Sequence, residues 1–387
     1  MRTPAGRPRI TLLRSDRMSS DTPHDDAQPG CSNRPSARPL KGRGAVSNPP
    51  DRYAATHIEA VDDGWTPEEK SPLKTTVTTE TSRRIISRNP SPDIPFDQSI
   101  NPYRGCEHGC IYCYARPTHA YLGLSPGLDF ESRLVAKPDA AERLRAELAH
   151  PAYRVTPIAL GANTDPYQPI ERHWRLTREV LSVLQACRHP VTLTTKSALI
   201  ERDIDLLGEM ARDRLAQVQI SLTTLDRSLA RTLEPRAASP ERRLQTIRRL
   251  ALAGIPVTVL VAPIIPALTD AELDTILAAA ADAGATHAGY NLLRLPLELK
   301  QLFGDWLQAH APGQAQRVLN RLRDSHAGQL YRAQFGTRQT GSGAYADMIR
   351  QRFQLQARRL NLKAASLSLE TGLFTRPKIG PEQLELF

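Results

Sequence analysis

Three cysteines of the 387-residue sequence lie close together, in the segment Gly105-Cys106-Glu107-His108-Gly109-Cys110-Ile111-Tyr112-Cys113-Tyr114. Their spacing is C-x3-C-x2-C, and no second cysteine or histidine pair follows to complete the four ligands of a typical structural zinc site. Three thiolates without a dedicated fourth ligand suit a [4Fe–4S] cluster that leaves one iron open to an external ligand. Gly105 and Gly109 favour this interpretation, because glycine allows positive φ and a close wrap around a bulky cluster.

A zinc knuckle is the alternative use of the same cysteines, with His108 or His119 as the fourth ligand. His108 lies inside the x3 gap, where it would compete sterically with its neighbours for one ion. Cys31 lies in a Pro- and Arg-rich segment, and Cys187 lies in a predicted helix dominated by apolar packing. The predicted metal ligands are therefore Cys106, Cys110 and Cys113.

The elements that position this loop can be predicted from the alternation of apolar runs and amphipathic stretches between about Asp97 and Pro296. The predicted strands lie near Ser99–Gly105 and at Arg154–Leu160, Pro190–Thr195, Ala216–Leu222, Ile255–Ala262 and His287–Leu293. The predicted helices are Ala140–Ala149, Leu176–Cys187, Leu199–Arg212, Pro240–Ala253 and Asp270–Ala283. Strands that alternate with helices indicate an α/β fold with a parallel sheet. Six such units fall short of a full barrel, so we expect a partial (β/α)6 TIM-type barrel with its site at the carboxyl ends of the strands.

The sequence divides into three predicted parts. Residues 1–75 are expected to form a disordered basic tail, since Met1 to Pro50 contains eight prolines and eight arginines and almost no apolar periodicity. Residues 76–300 form the predicted barrel. Residues 301–387 are expected to be a helical C-terminal extension, with helices at Leu297–His310, Gln314–Ser325 and Ala344–Arg359 and a tail at Pro381–Phe387.

Composition excludes several classes of protein. Hydrophobic residues make up 40% of the chain, which is enough for a core, and five cysteines are too few for a disulfide-stapled secreted scaffold. No apolar stretch is long enough to span a bilayer, and the N-terminus lacks the pattern of a signal peptide. We therefore expect a cytoplasmic protein without a membrane partner. The net charge of +10 favours phosphate-rich partners such as nucleic acid, although part of this charge belongs to the tail.

Polar clusters follow the predicted strands at the edge where a site is expected. They are Gly161-Ala162-Asn163-Thr164-Asp165, Thr194-Thr195-Lys196-Ser197, Ile220-Ser221-Leu222-Thr223-Thr224 with Glu234-Pro235-Arg236, and Val261-Ala262-Pro263-Ile264-Ile265-Pro266. The cysteine motif, with Tyr112 before its last cysteine, resembles the signature of the radical S-adenosylmethionine (SAM) superfamily. Together with the strand-end clusters it resembles the bacterial proteins related to spore photoproduct lyase, over roughly Ile85 to Lys300.

The resemblance implies two cofactors, a [4Fe–4S] cluster and SAM, and it implies roles for the strand-end residues. The turn Gly161–Thr164, with Asn163 and Thr164, corresponds to the segment that meets the methionine amino group. The candidates for the SAM carboxylate or ribose are Lys196, Ser197, Ser221 and Arg236. Ile264, at the apolar end of its strand, is the candidate for packing on adenine, which Tyr112 also borders.

The loop after the second strand, Asp165-Pro166-Tyr167-Gln168-Pro169-Ile170-Glu171, is held extended by two prolines. We expect it to present Asp165, Tyr167 and Glu171 at the barrel mouth, where a carboxylate could contact substrate or SAM. A capping or surface-paired carboxylate is the alternative.

The chemistry implied by the resemblance is reductive cleavage of SAM to methionine and a 5′-deoxyadenosyl radical that takes hydrogen from a substrate. A reductant such as flavodoxin or ferredoxin would supply the electron, and we expect a monomer. The lyase carries a cysteine near the end of its second strand as a hydrogen donor, whereas residues 161–165 contain none. The sequence therefore leaves the substrate and the hydrogen donor open, with nucleic acid as one candidate. The alternatives are an Fe–S protein without SAM chemistry and a zinc-containing nucleic-acid-binding protein.

Overall fold

The computed structural model of the chain describes residues 39–54, 73–364 and 368–378. Within these residues the strands are β1 (Thr76–Thr79), β2 (Ile86–Arg88), β3 (Gln98–Ile100), β4 (Tyr103–Arg104), β5 (Arg133–Ala136), β6 (Ile158–Leu160), β7 (Val191–Thr195), β8 (Ala216–Ser221), β9 (Val257–Ile264), β10 (His287–Leu292) and β11 (Lys363–Ala364). The α-helices are α1 (Leu128–Ser132), α2 (Ala140–Ala149), α3 (Glu171–Trp174), α4 (Leu176–Ala186), α5 (Ile204–Arg212), α6 (Arg227–Leu233), α7 (Pro240–Leu252), α8 (Leu273–Asp282), α9 (Leu299–His310), α10 (Pro312–Ser325) and α11 (Ala344–Arg359). Short 3-10 helices cover Arg116–Leu122, Ala198–Asp203 and Asp270–Glu272.

The central sheet has the strand order β11-β10-β9-β8-β7-β6-β3-β2. All neighbours from β3 to β11 are parallel, and only β2 runs antiparallel, beside β3. The six predicted barrel strands, from β3 to β10, are therefore adjacent in sequence order, with helices in the connections. The predicted partial (β/α)6 barrel is confirmed, and the carboxyl ends of its strands meet at one rim.

The first barrel strand is shorter than predicted. β3 ends at Ile100 rather than at Gly105, because Tyr103–Arg104 forms β4 and pairs with β5 in a separate three-stranded sheet of order β1-β5-β4. Pro102 separates the two strands and cannot donate a ladder hydrogen bond. The cysteine loop, residues 105–114, thus leaves the small sheet and not the barrel strand itself.

Side chains alternate along the barrel strands between an apolar face and a polar face. Every second residue of β8 from Ala216 to Ile220 belongs to the main core, which also contains Ile247 of α7. Successive side chains of a strand point to opposite faces, so the remaining residues of β8 point into the barrel. There Gln217 Nε2 donates to Thr258 Oγ1 of β9 at 2.8 Å. The inside of the barrel is therefore lined by polar groups, which suits a polar ligand.

Helix α7 shows how local sequence sets an element. Ser239 Oγ accepts the backbone N–H of Arg242 at 3.3 Å, and Pro240 occupies the first turn. Ile247 is fully buried on the face that packs against the sheet. Gly254 follows the end with φ +76°, a conformation that favours glycine. The predicted helix at 240–253 is confirmed within one residue.

The structure describes only part of the predicted N-terminal tail. Residues 1–38 and 55–72 lie outside the described residues. Residues 39–54 pack against the cysteine loop, so the expectation of disorder is wrong there: Ala45 is fully buried and Arg43 is buried. The backbone N–H groups of Gly44 and Ala45 donate to Glu131 at 2.9 and 2.8 Å. These hydrogen bonds to a distant buried carboxylate offset the entropy of ordering, and composition cannot reveal them.

The predicted C-terminal extension is only partly helical. α9, α10 and α11 lie where helices were predicted, but β11 then joins the central sheet parallel to β10. In the segment 368–378, the ring of Phe374 packs against Tyr153 and His189 with ring centroids 5.8 and 5.5 Å apart. Pro381–Phe387 lies outside the described residues. In the described ranges, no helix combines the length and the apolar character needed to cross a membrane.

Candidate functional site

The cysteine loop is held by the ends of two helices. The backbone N–H of Cys106 donates to the carbonyl of Phe130 in α1 at 2.9 Å, and that of Ile111 donates to Leu233 in α6 at 3.0 Å. Cys106 and Cys110 are buried and Cys113 is half-buried, and all three are free thiols. The loop therefore brings three unoxidised sulfur ligands to the barrel mouth.

Two glycines of the loop have the conformation expected from the sequence. Gly105 has φ +72°, and a Cβ there would lie 2.7 Å from the Leu134 side chain. Gly109 has φ +67°, and a Cβ there would lie 2.7 Å from Glu131. Any larger residue would push the loop away from its support.

The electrostatics of the thiols fit a site for a cationic metal centre. Burial raises the pKa of Cys106 well above its usual value, and neighbouring Asp165, Cys110 and Cys113 raise it further. Burial also raises the pKa of Cys110, while the ammonium group of Lys196 opposes that rise. Thiolates in such a place require a bound cation, which is what the iron ions of a cluster supply. Three free thiols on one loop, two of them buried, therefore fit a [4Fe–4S] cluster held by Cys106, Cys110 and Cys113.

The histidines considered for a zinc site have other contacts. His119 Nε2 lies 3.0 Å from the carbonyl oxygen of Arg133, and burial lowers the pKa of His119 to about 4. His108 is buried, and its Nδ1 lies 3.2 Å from Asp165 Oδ2 without the alignment of a hydrogen bond. Among the described residues, no group of three or more His, Cys, Asp or Glu side chains is arranged to hold a single metal ion.

Lys196 lies beside the thiols at the carboxyl end of β7. Its ammonium nitrogen is 5.8 Å from the centroid of the Tyr112 ring, and its charge reaches Cys110. Within the described part of the chain, the Lys196 ammonium has no hydrogen-bonded or carboxylate partner. A half-buried cation near the Cys110 thiol, with no hydrogen-bonded or carboxylate partner in the described residues, is suited to bind the anionic group of a ligand.

A buried network beneath the mouth fixes Tyr112. Its hydroxyl donates to Glu234 and lies 3.1 Å from Thr223 Oγ1. Glu234 forms a buried ion pair with Arg243, which donates to the carbonyl of Ser221 at 3.0 Å. The Ser221 hydroxyl donates to a carbonyl of β9 at 2.9 Å. The Tyr112 hydroxyl thus connects the cysteine loop to Glu234, and the Ser221 hydroxyl connects the end of β8 to β9.

The turn after β6 has one position that only glycine can occupy. Gly161 has φ +86°, and a Cβ there would lie 2.3 Å from the carbonyl oxygen of Thr194. The backbone N–H groups of Asn163 and Thr164 donate to Asn101 Oδ1 at 3.0 and 3.3 Å. The Thr164 hydroxyl donates to a carbonyl of β4 at 2.9 Å. The side-chain amide of Asn163 has no partner in the described ranges, so it is the group of this turn that is open to a ligand.

Two of the other predicted SAM contacts, Ser197 and Arg236, already have partners within the chain. Ser197 Oγ accepts the backbone N–H of Leu199 at 3.2 Å and caps the 3-10 helix that follows, as in the structural alternative for this turn. Arg236 forms an ion pair with Glu107. Ser197 and Arg236 both line a cavity of about 720 Å³ beside the cysteine loop, and Lys196 does not line it. Ile264 is fully buried in the main core.

Comparison with protein-family models matches residues 100–280 to the radical SAM superfamily. This segment, slightly less than half of the chain, is similar to radical SAM domains. It contains the cysteine loop and the carboxyl ends of β6 to β9. The expected resemblance to that superfamily is confirmed.

Relatives of the chain are known in other organisms. Uncharacterized proteins of Mycobacterium tuberculosis and Mycobacterium bovis are 40% identical over 220 residues, which are 56% of this chain and 65% of theirs. An uncharacterized protein of Methanocaldococcus jannaschii is 29% identical over 173 residues, 45% of this chain and 62% of that relative. The matched part thus spans slightly less than two thirds of these relatives.

Solved structures of spore photoproduct lyase share the fold. Its complex with a dinucleoside spore photoproduct superposes with a TM-score of 0.54 at 15% identity, covering 78% of this chain and 86% of that chain. A mutant with bound AdoMet and the dinucleoside photoproduct gives 0.55 at 15% identity, covering 81% and 88%. At 15% identity this likeness shows a shared fold and nothing more.

Within residues 100–280, the loop after β6 is an internal support. Glu171 is fully buried and does not line the cavity beside the cysteine loop, so the expectation that it faces a ligand is wrong, whereas the fully buried Tyr167 does line that cavity. The Tyr167 hydroxyl donates to Asp203 at 3.0 Å, and Glu171 pairs with Arg202 at 2.6 Å. The prolines direct these side chains toward helix-side partners that are distant in sequence.

Asp165 links the loop after β6 to the end of β7. It accepts hydrogen bonds from the Thr195 hydroxyl at 2.7 Å and the Lys196 backbone N–H at 2.8 Å. Burial acts to raise the pKa of Asp165, but the imidazole of His108 and these hydrogen bonds lower it to about 2. Asp165 is therefore an ionised support that holds the backbone of Lys196 in place.

Several residues that shape the domain's site were not among the predicted ones. They include Glu131 and Arg116 behind the cysteine loop and Arg243 beneath Tyr112. Arg116 lies three residues after Cys113, and this proximity to the cysteine motif is a signal that could have identified it as a candidate. Nothing in the sequence around Glu131 connects it to a loop twenty residues earlier.

Proposed function

We propose that the chain is a radical SAM enzyme. It binds a [4Fe–4S] cluster through Cys106, Cys110 and Cys113 and reductively cleaves SAM to start radical chemistry on a substrate. The observation that carries this proposal is a loop with three free thiols at the carboxyl ends of parallel strands, with the unpaired Lys196 ammonium near Cys110 and Tyr112. The match of residues 100–280 to the superfamily supports it.

The residues of the mouth have distinct tasks in this proposal. When bound, the cluster supplies the electron that splits the sulfonium, and a one-electron donor such as flavodoxin or ferredoxin restores that electron. Lys196 binds the SAM carboxylate, and the free amide of Asn163 orients the methionine end. Tyr112, held by Glu234, forms a fixed wall beside the nucleoside.

Tyr114 helps to exclude water from the mouth. Its hydroxyl donates to the carbonyl of Ala162 after β6, and the guanidinium of Arg294 after β10 lies 4.4 Å from its ring centroid. Tyr114 therefore connects the second and the last barrel strands across the opening. A covered mouth protects a reactive carbon radical from side reactions.

Anaerobic reconstitution with iron and sulfide, followed by SAM and dithionite, tests the proposal. The full chain should bind four irons per three-cysteine site and release methionine and 5′-deoxyadenosine. The Cys106/Cys110/Cys113 triple alanine variant should bind none, whereas Cys187→Ala should match the wild type, because Cys187 lies in the main core. A wild type that carries the cluster and cleaves no SAM would point to an Fe–S protein. A single zinc without sulfide would point to the zinc alternative.

Lys196 allows a sharper test of the SAM site. Lys196→Met keeps the packing of the aliphatic stem but removes the charge that we assign to the carboxylate, so SAM should bind about 10- to 100-fold more weakly, as for the loss of a partly buried charge pair. Arg236→Met is the matched control and should bind SAM nearly as the wild type does, because Arg236 already pairs with Glu107. Equal losses in both variants would contradict the assignment.

We also propose a nucleic-acid substrate. Four aromatic side chains are strongly exposed among the described residues, and three of them, Tyr53, Tyr114 and Tyr121, flank the cysteine loop. Arg52 lies over the rings of Tyr53 and Tyr121, 5.1 and 5.5 Å from their centroids. Exposed aromatic rings with arginine are suited to stack unpaired bases, and the net charge of +10 favours a polyanion.

Fluorescence anisotropy with a labelled single-stranded oligonucleotide tests this substrate class. Tyr53→Ala/Tyr121→Ala should weaken binding at least about tenfold, since stacking contributes roughly 1–3 kcal/mol per base. Phe335→Ala, an equally exposed aromatic away from the cysteine loop, should leave binding unchanged. Equal affinity of all three proteins would refute the stacking surface.

A further inference from the structure

A buried ion pair lies directly behind the cysteine loop. The side chains of Arg116 and Glu131 are both fully buried, and Arg116 Nη2 pairs with Glu131 Oε1. Neither residue has a part in the proposed binding of SAM or substrate. A buried ion pair costs desolvation on both sides, so stability alone does not explain why two charges lie here.

Arg116 uses all of its N–H groups on backbone oxygens and one carboxylate. Nε donates to the carbonyl of Cys110 at 2.9 Å, and Nη2 donates to that of Gly109 at 3.0 Å as well as to Glu131. Nη1 donates to the carbonyls of Pro126 and Gly127 at 3.1 and 2.9 Å. A planar guanidinium with five engaged donors fixes the orientation of two consecutive peptide groups of the loop. One of these peptide groups belongs to the central ligand of the cysteine motif.

Glu131 connects the loop to the N-terminal residues on its other side. Its two carboxylate oxygens accept the backbone N–H groups of Gly44 and Ala45, and its own carbonyl accepts Arg43 Nη1 at 2.7 Å. The contact is close, because a Cβ at Gly44 would lie 1.9 Å from the carbonyl oxygen of Gly109. Residues 43–45 therefore close over the outer side of the loop, with Ala45 fully buried.

We propose that Arg116 and Glu131 are positioning residues for the iron–sulfur cluster. Arg116 sets the carbonyls of Gly109 and Cys110, and Glu131 holds residues 43–45 against them, so that the Cys110 thiol is presented in one orientation and water is kept from the loop. This inference rests on the proposed function, since it needs a cluster at the three cysteines. It adds two residues and an N-terminal segment that lie outside the cysteine motif.

The test removes both charges at once, because one lone buried charge would destabilise any fold. Arg116→Met/Glu131→Gln is compared with Arg338→Met/Asp93→Asn, a pair that is 15% and 11% exposed and does not contact the cysteine loop. Circular dichroism checks folding, and iron and sulfide are measured after anaerobic reconstitution. Electron paramagnetic resonance of the dithionite-reduced protein without SAM reports the cluster environment independently of activity.

We expect the Arg116/Glu131 variant to keep its secondary structure, to bind less than about half of the wild-type iron, and to give a broadened or altered resonance. The Arg338/Asp93 variant should match the wild type in both measurements. The single variant Arg116→Lys keeps the positive charge but should also differ from the wild type in iron content and resonance, because an ammonium group cannot reach all five acceptors. Wild-type iron content with an unchanged line shape in the Arg116/Glu131 variant would overturn the inference.

Gly44→Ala decides the question if the double variant does not fold, since it keeps both charges and disturbs only the contact with Gly109. It should lower iron retention in air at least about twofold, and retention equal to the wild type would refute the role of residues 43–45. Failure of the proposed function is distinguishable, because it shows in the wild type itself, which would then bind no cluster or would carry the cluster without cleaving SAM. If the wild type binds the cluster and the variants match it in iron content and resonance, only the positioning role is refuted.

Discussion

Replacing Tyr112 with phenylalanine should destabilise the protein more than the same change at Tyr114, two residues away in one loop. The Tyr112 hydroxyl is buried, donates to Glu234 and lies 3.1 Å from Thr223 Oγ1. The Tyr114 side chain belongs to a residue that is 43% exposed, and its hydroxyl donates to one carbonyl, that of Ala162. The two variants therefore remove the same atom from a buried network that includes a carboxylate and from a single hydrogen bond to one neutral carbonyl.

The expected magnitude follows from the partners that remain. A hydrogen bond to a charged group contributes about 1.5–3 kcal/mol. After Tyr112→Phe, Glu234 still accepts from Thr223 at 2.7 Å and still pairs with Arg243, so the loss should lie near the lower half of that range, about 2 kcal/mol. After Tyr114→Phe, water can replace the hydroxyl at the carbonyl, and the loss should stay below about 1 kcal/mol.

Urea unfolding of the full chain, followed by circular dichroism, measures both free energies of unfolding. The loss in Tyr112→Phe should exceed that in Tyr114→Phe by about 1 kcal/mol or more. Both variants should still bind iron, because neither hydroxyl contacts a cysteine. Equal losses, or the larger loss at Tyr114, would refute the reasoning that Glu234 depends on Tyr112.

Three further predictions concern the barrel. Gly161→Ala should lower the unfolding free energy by more than about 2 kcal/mol, because the methyl group would lie 2.3 Å from the Thr194 carbonyl oxygen at φ +86°. Gly123→Ala is the control and should cost about 1 kcal/mol, since Gly123 has φ +64° and open space around it. Similar unfolding free energies of the two variants would contradict this prediction. Burial lowers the pKa of His189 to about 4, so the unfolded chain binds more protons, and stability should fall by up to about 3 kcal/mol as the pH drops from about 6.5 to 4. Urea midpoints across that range should fall less steeply in His189→Gln, and parallel curves would exclude this histidine as the cause. Phe374→Ala should lower the unfolding free energy by about 1–3 kcal/mol without changing iron content, and an unchanged urea midpoint would show that residues 368–378 do not support the barrel.

The barrel could be predicted because its strands and helices bury whole faces. The apolar run at 190–195 became β7, and the helix predicted at 140–149 is α2 residue for residue. The face of each strand that packs against the helices is made of apolar residues, and each helix has an apolar face that packs against the strands. Both patterns can be read from the sequence. The small sheet that carries the cysteine loop was missed, since the two-residue β4 has no periodicity to detect.

The candidate site was predictable in its ligands and less so in their surroundings. Cys106, Cys110 and Cys113 were predicted from spacing, and the structure shows all three as free thiols on one loop, while their role as ligands stays a prediction. Among the residues considered for SAM, Lys196 faces the thiols, whereas Arg236 is taken up by Glu107. Both are basic residues at strand ends, and only the fold shows which of them has a partner.

The sequence by itself determined the order of strands and helices, the three candidate sulfur ligands and the rim at which they lie, because these depend on periodicity and on spacing within a few residues. The tertiary structure decided which polar groups are already paired. Glu131, Arg116 and residues 43–45 meet across as many as 88 positions of the chain, and Glu107 meets Arg236 across 129. Such pairings are made by folding, which sets a buried donor against a distant acceptor to avoid leaving either without a hydrogen bond.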